Sequence, residues 1–241
     1  MQIIRGDSYQ SWIYSNRSDL VVVDPWLTDK QVFPGLNWLL YREANEEPHI
    51  LKHNLISQVS HIIITAHFSD HLDLPSLKLF PKNIPIFTTI KSFNLLSKNG
   101  FLNITVVQPG NSYKVGSFSL EVLKAGKPYE TTTFAYLLSE KNSKVFHEPH
   151  MFNSDMKFNN IDACILTLDK VKVLNLVQVS MDINQSSKAL TKLSASYILP
   201  TGIAPKKTHG LISYLLAIKE NYNSSDHLPC ACKNVGDSLI L

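Results

Sequence analysis

Ser60-His-Ile-Ile-Ile-Thr-Ala-His-Phe-Ser-Asp-His-Leu-Asp73 is the stretch on which the reading of this 241-residue chain turns. Ile62 to Thr65 is a short unbroken run of apolar and β-branched residues, the pattern of a strand buried on both faces. It gives way to a polar cluster carrying His67, Asp70 and His71. A helical segment follows over 74–80, with Pro75 in its first turn and Leu74, Leu77, Leu79 and Phe80 as apolar positions. A buried strand that delivers imidazole and carboxylate groups to a loop ahead of a helix is a rigid base for a metal or acid–base site.

The rest of the chain alternates in the same way. On the N-terminal side, Ile3-Ile4 and the segment around Trp12 read as two strands joined by a turn at Gly6-Asp7, and Leu20-Val-Val-Val-Asp24-Pro25 as a buried strand ending at an Asp-Pro step. Asp24 there is either a functional carboxylate or the cap of the turn before Pro25, and capping is the simpler reading. Residues 28–52 lack periodicity but hold Phe33, Trp38 and Tyr41, which suggests a long loop with a helical piece beside a cleft. Residues 51–59 read as a short amphipathic helix.

Beyond the central stretch, the pattern predicts a strand over 84–89, a helix over 90–98 closed by Asn99-Gly100, and a strand from Thr105. It continues with alternating strands over 113–123 and 133–139, and a strand over 144–150 that ends in His147, Glu148 and His150. The last third gives a buried strand from Ala163, a helix over 184–193, a strand over 197–202 and a closing helix over 209–220. This succession argues for a layered α/β arrangement. No linker divides it, so residues 1–220 form one domain and 221–241 a polar C-terminal tail.

Composition narrows the class. At 44% hydrophobic and 18% charged residues the chain is of ordinary globular type. Its formal charge of +3 is scattered, with no basic stripe, so nucleic acid is not expected as a partner. No apolar run approaches the ~18 residues of a membrane span. Three cysteines, Cys164, Cys230 and Cys232, make no disulfide framework, and the N-terminus lacks a long apolar leader core. A reduced, cytoplasmic setting is the expectation.

The order of elements, with Val22-Val-Asp-Pro-Trp-Leu27, the run entering Asp70-His71, Val145-Phe-His-Glu-Pro-His150 and Tyr197-Ile-Leu-Pro-Thr201, resembles the metallo-β-lactamase fold over about residues 2–218. The combination looks like an atypical branch found in photosynthetic bacteria and plants. The resemblance implies an αββα four-layer sandwich of the α+β class, two mixed sheets flanked by helices. It also implies a metal site along one edge. That family's motif is His-x-His-x-Asp-His, its first two histidines binding one metal and its Asp-His pair a second. In that register Ala66 and Phe68 replace the first two histidines, Asp70 and His71 match, and His67 falls between, aimed away by strand alternation. Lys124-Ala-Gly126, Glu148-Pro149-His150 and Thr201-Gly202 stand where the family places a histidine, the bridging aspartate and a last histidine.

The candidate ligands are therefore Asp70, His71, Glu148, His150 and, less directly, His67, enough for one ion of zinc, or of iron or manganese. Asp70 is the candidate to orient or deprotonate a metal-bound water. The implied activity is metal-dependent hydrolysis of a small ester, lactone or phosphoester at a reduced, single-metal site. The alternative is a non-catalytic protein of the same fold, holding no metal and serving as a binding or scaffold module. In that case Asp70 caps the following helix, and His71 and His150 are hydrogen-bonded remnants. His147 faces the opposite way from Glu148, and His209 reads as a capping or surface residue.

Overall fold

Side chains that alternate inward along two sheets set the architecture. Tyr14, Val21, Val23 and Ile63 on one side meet Val122, Tyr136, Val145, Ile165 and Leu199 on the other in a single buried core. The computed structural model describes residues 1–33, 36–156, 158, 160–203, 208–220, 225 and 227–241. The first sheet has seven strands in the order Ser238–Ile240, Gln2–Arg5, Trp12–Ser15, Leu20–Val23, His61–Ile64, Ile86–Thr88, Ile104–Val106. The second has six: Tyr197–Thr201, Ala163–Thr167, Ser143–Glu148, Phe134–Glu140, Phe118–Lys124, Ser112–Val115. Both are mixed. The strands from Leu20–Val23 to Ile104–Val106 pair in parallel, as do Ser143–Glu148, Ala163–Thr167 and Tyr197–Thr201, and the remaining neighbours are antiparallel.

Helices cover the outer faces. The helices His49–Lys52, Leu74–Leu77 and Ile90–Lys98 press Ile50, Leu77 and Leu96 onto Val22, Ile62, Ile64 and Ile86. Ile183–Leu193 places Ala189 and Leu193 against Phe146, Cys164, Leu166 and Ile198. Helix, sheet, sheet and helix make the expected αββα sandwich. Caps fix the helix starts. Asp73 and Thr89 accept the Ser76 and Ser92 amides, and Asp182 forms a reciprocal capping box with Gln185. Among the described residues, no helix is long and apolar enough to cross a membrane, and all three cysteines are free.

The structure departs from the sequence pattern at four places. The expected helix over 51–59 is two short pieces, His49–Lys52 and a 3-10 turn over Ile56–Gln58, broken where Asn54 takes a left-handed φ of 55°. The aperiodic stretch after Thr28 forms a hairpin, Lys30–Val32 with Tyr41–Glu43, which Thr208–His209 extends to a small three-stranded sheet. The expected closing helix over 209–220 is instead a 3-10 turn, Leu211–Leu215, and a strand, Leu216–Lys219. Gly210, at φ 104° and with its Cα against the Leu39 backbone, turns the chain where a helix would have begun. Finally, the segment expected as a polar tail joins the domain through the Ser238–Ile240 strand and the buried Cys232, while residues 221–224 and 226 lie outside the described residues.

The capping box makes the Ile183–Leu193 helix start dependent on one carboxylate, which also lies 3.2 Å from the Lys170 ammonium. Asp182→Ala should lower the unfolding free energy by about 1 kcal/mol, read as a lower urea midpoint at unchanged slope.

Candidate metal and substrate site

The parallel strands of both sheets end at one rim of the sandwich, and the chain leaves them there with charged side chains. The Leu20–Val23 strand ends at Asp24, whose backbone turns left-handed at φ 45° while its amide still donates to the Ile63 carbonyl at 2.9 Å. The adjacent His61–Ile64 strand ends at Thr65. Asp24 accepts the Thr65 amide at 2.7 Å through Oδ1 and the Thr65 hydroxyl at 2.5 Å through Oδ2. The same Oδ2 lies 2.8 Å from His71 Nδ1, and Thr65 Oγ1 lies 2.9 Å from that nitrogen. Asp24, Thr65 and His71 are each about 1% exposed or less.

From the opposite sheet, the turn after Ser143–Glu148 carries His150. Its Nε2 lies 3.1 Å from His71 Nε2. Glu148 lies beside the pair, its Oε1 3.8 Å from His150 Nδ1. Its Oε1 accepts the His150 amide at 3.0 Å, the Gly126 and Met151 amides lie close enough to stabilise its anion, and Oε2 is buried without a partner. Burial, outweighing those amides, pushes the Glu148 pKa up to about 8, and its hydrogen bond orients the His150 turn. Burial alone would push the His71 pKa down, but Asp24, with Asp70 and Glu148 adding, raises it. Burial and the neighbouring His71 hold His150 well below the usual imidazole range.

Asp70 reaches the site by a different route. Its Oδ2 accepts the Tyr9 hydroxyl at 3.2 Å, and its carbonyl oxygen accepts the Gln10 and Gln31 side-chain amides. The Tyr9–Gln10 loop is itself fixed by Asp7, which accepts the Tyr9 and Ser11 amides at 2.8 Å each. Asp70 does not cap the following helix. Asp73 does. His67 lies against Phe68, with ring centroids 4.4 Å apart and Nδ1 unpartnered, and it is near enough to His71 to feel its charge. His147 faces the inter-sheet core, where its Nδ1 is 2.6 Å from the Tyr136 hydroxyl, and burial lowers its pKa to about 3. His209 stacks on Tyr41 at the surface.

A cavity of about 330 Å³ opens onto this rim, with Tyr9, Arg42, Asp70, Tyr129 and His150 in its wall. Tyr129 lies over His150, ring centroids 4.2 Å apart, and Phe68 meets Tyr129 edge-on. A catalytic zinc takes three protein ligands. Among the described residues no group of three or more His, Cys, Asp or Glu converges to hold an ion. The family's two-ion centre does not fit. Ala66 and Phe68 offer no donor, Thr201 Oγ1 accepts the Trp12 indole N–H at 3.0 Å, and a Cβ on Gly126 would fall 2.1 Å from the Met151 carbonyl oxygen. The His71–His150 pair does fit a single ion. Two nitrogen ligands of one tetrahedral zinc sit roughly 3.3 Å apart for bonds of about 2.0–2.1 Å. A carboxylate on the far nitrogen, as Asp24 is on His71, is the usual device for fixing a metal-binding histidine.

Asp24 is the residue whose role the sequence concealed. An Asp-Pro step at a strand end is equally the mark of a turn cap, and only the pairing of Val23 with Ile63 brings it to Thr65 and His71. Asp24→Ala should cost about 3–5 kcal/mol, because a raised-pKa imidazole loses its buried counter-charge. Thr65→Val, which leaves the carboxylate in place, should cost about 1–2 kcal/mol. Both are read by denaturant unfolding.

A family model for a beta-lactamase superfamily domain matches residues 8–202 of the chain. Sequence comparison with curated proteins finds no match. Among solved structures, a possible metal-dependent hydrolase from Veillonella parvula superposes with a TM-score of 0.71 at 13% identity, over 100% of this chain and 99% of its own. An isothiocyanate hydrolase from Delia radicum gut bacteria gives a TM-score of 0.71 at 14% identity and the same two coverages. The metallo-beta-lactamase fold protein YhfI from Bacillus subtilis gives 0.67 at 13% identity, over 99% of each chain. At these identities the structural likeness establishes the fold, and together with the family match it places the chain: it belongs to the beta-lactamase superfamily.

Proposed function

We propose that the chain is a metal-dependent hydrolase of this superfamily with a single-metal centre, acting on a small ester, lactone or phosphoester. The observation that carries the reading is the His71–His150 pair, with its Nε2 atoms 3.1 Å apart at a cavity wall and His71 Nδ1 tied to Asp24. His71 and His150 would hold the ion, and Asp70, which lines the same cavity, is the carboxylate available as third ligand or proton acceptor. A metal there supplies Lewis acidity and a bound water whose pKa falls towards neutrality. Zinc suits two imidazoles and a carboxylate, and iron or manganese is the alternative.

The chain's own residues do the rest. Tyr9, Gln10 and Gln31 hold Asp70 on both its carboxylate and its carbonyl side, so it can receive a proton without swinging away. Asp24 and Thr65 fix the His71 ring, and Glu148 fixes the His150 turn. Tyr129, backed edge-on by Phe68, covers the His150 ring and keeps bulk water off it.

A second reading, a binding protein of the same fold without chemistry, is favoured by one observation: among the described residues no three metal-ligating side chains converge. Metal uptake separates the two. After equilibration with zinc and removal of the excess, the protein should retain about one equivalent, and His71→Ala and His150→Ala should each retain less than about a tenth. Hydrolysis of a p-nitrophenyl ester should follow the metal and fall at least a hundred-fold in Asp70→Ala. Retention below about a tenth of an equivalent by the unsubstituted protein, for zinc, iron and manganese alike, contradicts the hydrolase reading and leaves the binding protein.

A further inference from the structure

The cavity beside the histidine pair has two chemically different ends. At one end, the Tyr41–Glu43 strand presents Arg42, whose guanidinium carbon lies 4.5 Å from the centre of the Tyr9 ring. Its Nε is buried and has no hydrogen-bond partner, and among the described residues no carboxylate lies within ion-pair distance of it. The guanidinium also shares a hydrogen bond with Tyr9 and lies near enough to Asp70 to feel its charge, but the buried Nε–H still lacks an acceptor, an unfavourable arrangement that an anion in the cavity would relieve.

The other end is apolar. Val171, Val173 and Val179 from the hairpin Lys170–Val173 and Val177–Gln178, with Ile212 and Leu216 from the segment packed against it, line that part of the cavity. The apolar surface then continues outward. Leu174 donates its amide to Leu215 at the hairpin tip, and Leu174, Leu176 and Tyr214 are 56%, 80% and 87% exposed. The volume of about 330 Å³ corresponds to roughly ten water-sized units of about 30 Å³, which admits a small molecule and excludes a polymer. Among the described residues, Asp70 is the single carboxylate in the wall and Arg42 the single arginine or lysine. That balance suits a singly charged head group and disfavours a dianion.

We propose that this cavity binds an amphipathic carboxylate, its anionic head on Arg42 and its apolar body along Val171, Val173 and Leu216 towards the exposed hairpin tip. The assignment deepens the hydrolase reading by naming the class of molecule brought to His150, but the binding contacts are independent of any metal. Two ligands of one length isolate the head group: decanoate, and 1-decanol, which has the same body without the charge. Calorimetric titration of the full chain, treated with chelator and then dialysed, should show one site for decanoate and binding at least ten-fold weaker for 1-decanol.

Arg42→Gln should bring decanoate down to the affinity of 1-decanol, and Val171→Asp should weaken both ligands. Should Arg42→Gln fail to fold, Arg42→Lys, which keeps the charge but loses the fork, should still weaken decanoate several-fold. Equal affinity for the two ligands, no saturable binding of decanoate, or decanoate binding unchanged in the Arg42 variants overturns the proposal. Decanoate binding without metal uptake leaves this assignment standing and removes the hydrolase. Metal uptake without decanoate binding does the reverse.

Discussion

The buried carboxylate of Asp24 is the interaction on which the rim of this molecule depends. It is the counter-charge of a fully buried imidazole and the acceptor for two groups of Thr65. A carboxylate placed there without those donors would be strongly unfavourable. With them it locks two parallel strands of the first sheet to the His71 loop. His71 then presents one nitrogen, in one orientation, to the second sheet.

That second contact is one of several polar ties between two layers that also share a large apolar core. His71 meets His150, Trp12 donates to Thr201, and the Arg5 guanidinium donates to the Pro200 carbonyl at 2.6 Å. All three cross between the sheets at the end where the parallel strands terminate, which is where open α/β layers place their ligand sites. The cavity is completed by the two small three-stranded sheets, whose strands carry Arg42 and the valines of its apolar end. The core builds the rigid edge, and the added hairpins decide what can reach it.

Much of this was legible in the sequence. Unbroken β-branched runs such as Ile62 to Ile64 and Val21 to Val23 mark strands buried on both faces, and they mark them correctly because nothing but a covered sheet can hold them. The Asp-His pair and Glu-Pro-His150 pointed to two loops that the fold does bring together at His71 and His150. What was not legible has a common cause. Asp24 and Tyr9 act through partners 41 and 61 residues away, and Arg42 through Tyr9 in a separate segment; local pattern carries no trace of such pairings. The segment after Gly210 reads as a helix by spacing alone, but it is held as a strand by pairing with Lys170–Val173, a partner that local spacing does not reveal. Glu148 reads as a ligand by residue type, and the structure adds that one of its oxygens takes the backbone amide of its own turn.

The central claim is that His71 and His150 share one ion. X-ray absorption at the zinc edge on protein loaded with a single equivalent reads the shell directly. Two imidazole nitrogens with oxygen in the remaining positions, at about 2.0–2.1 Å, is the predicted result. A shell of oxygen alone, or one containing sulfur at about 2.3 Å from the cysteines, would contradict it.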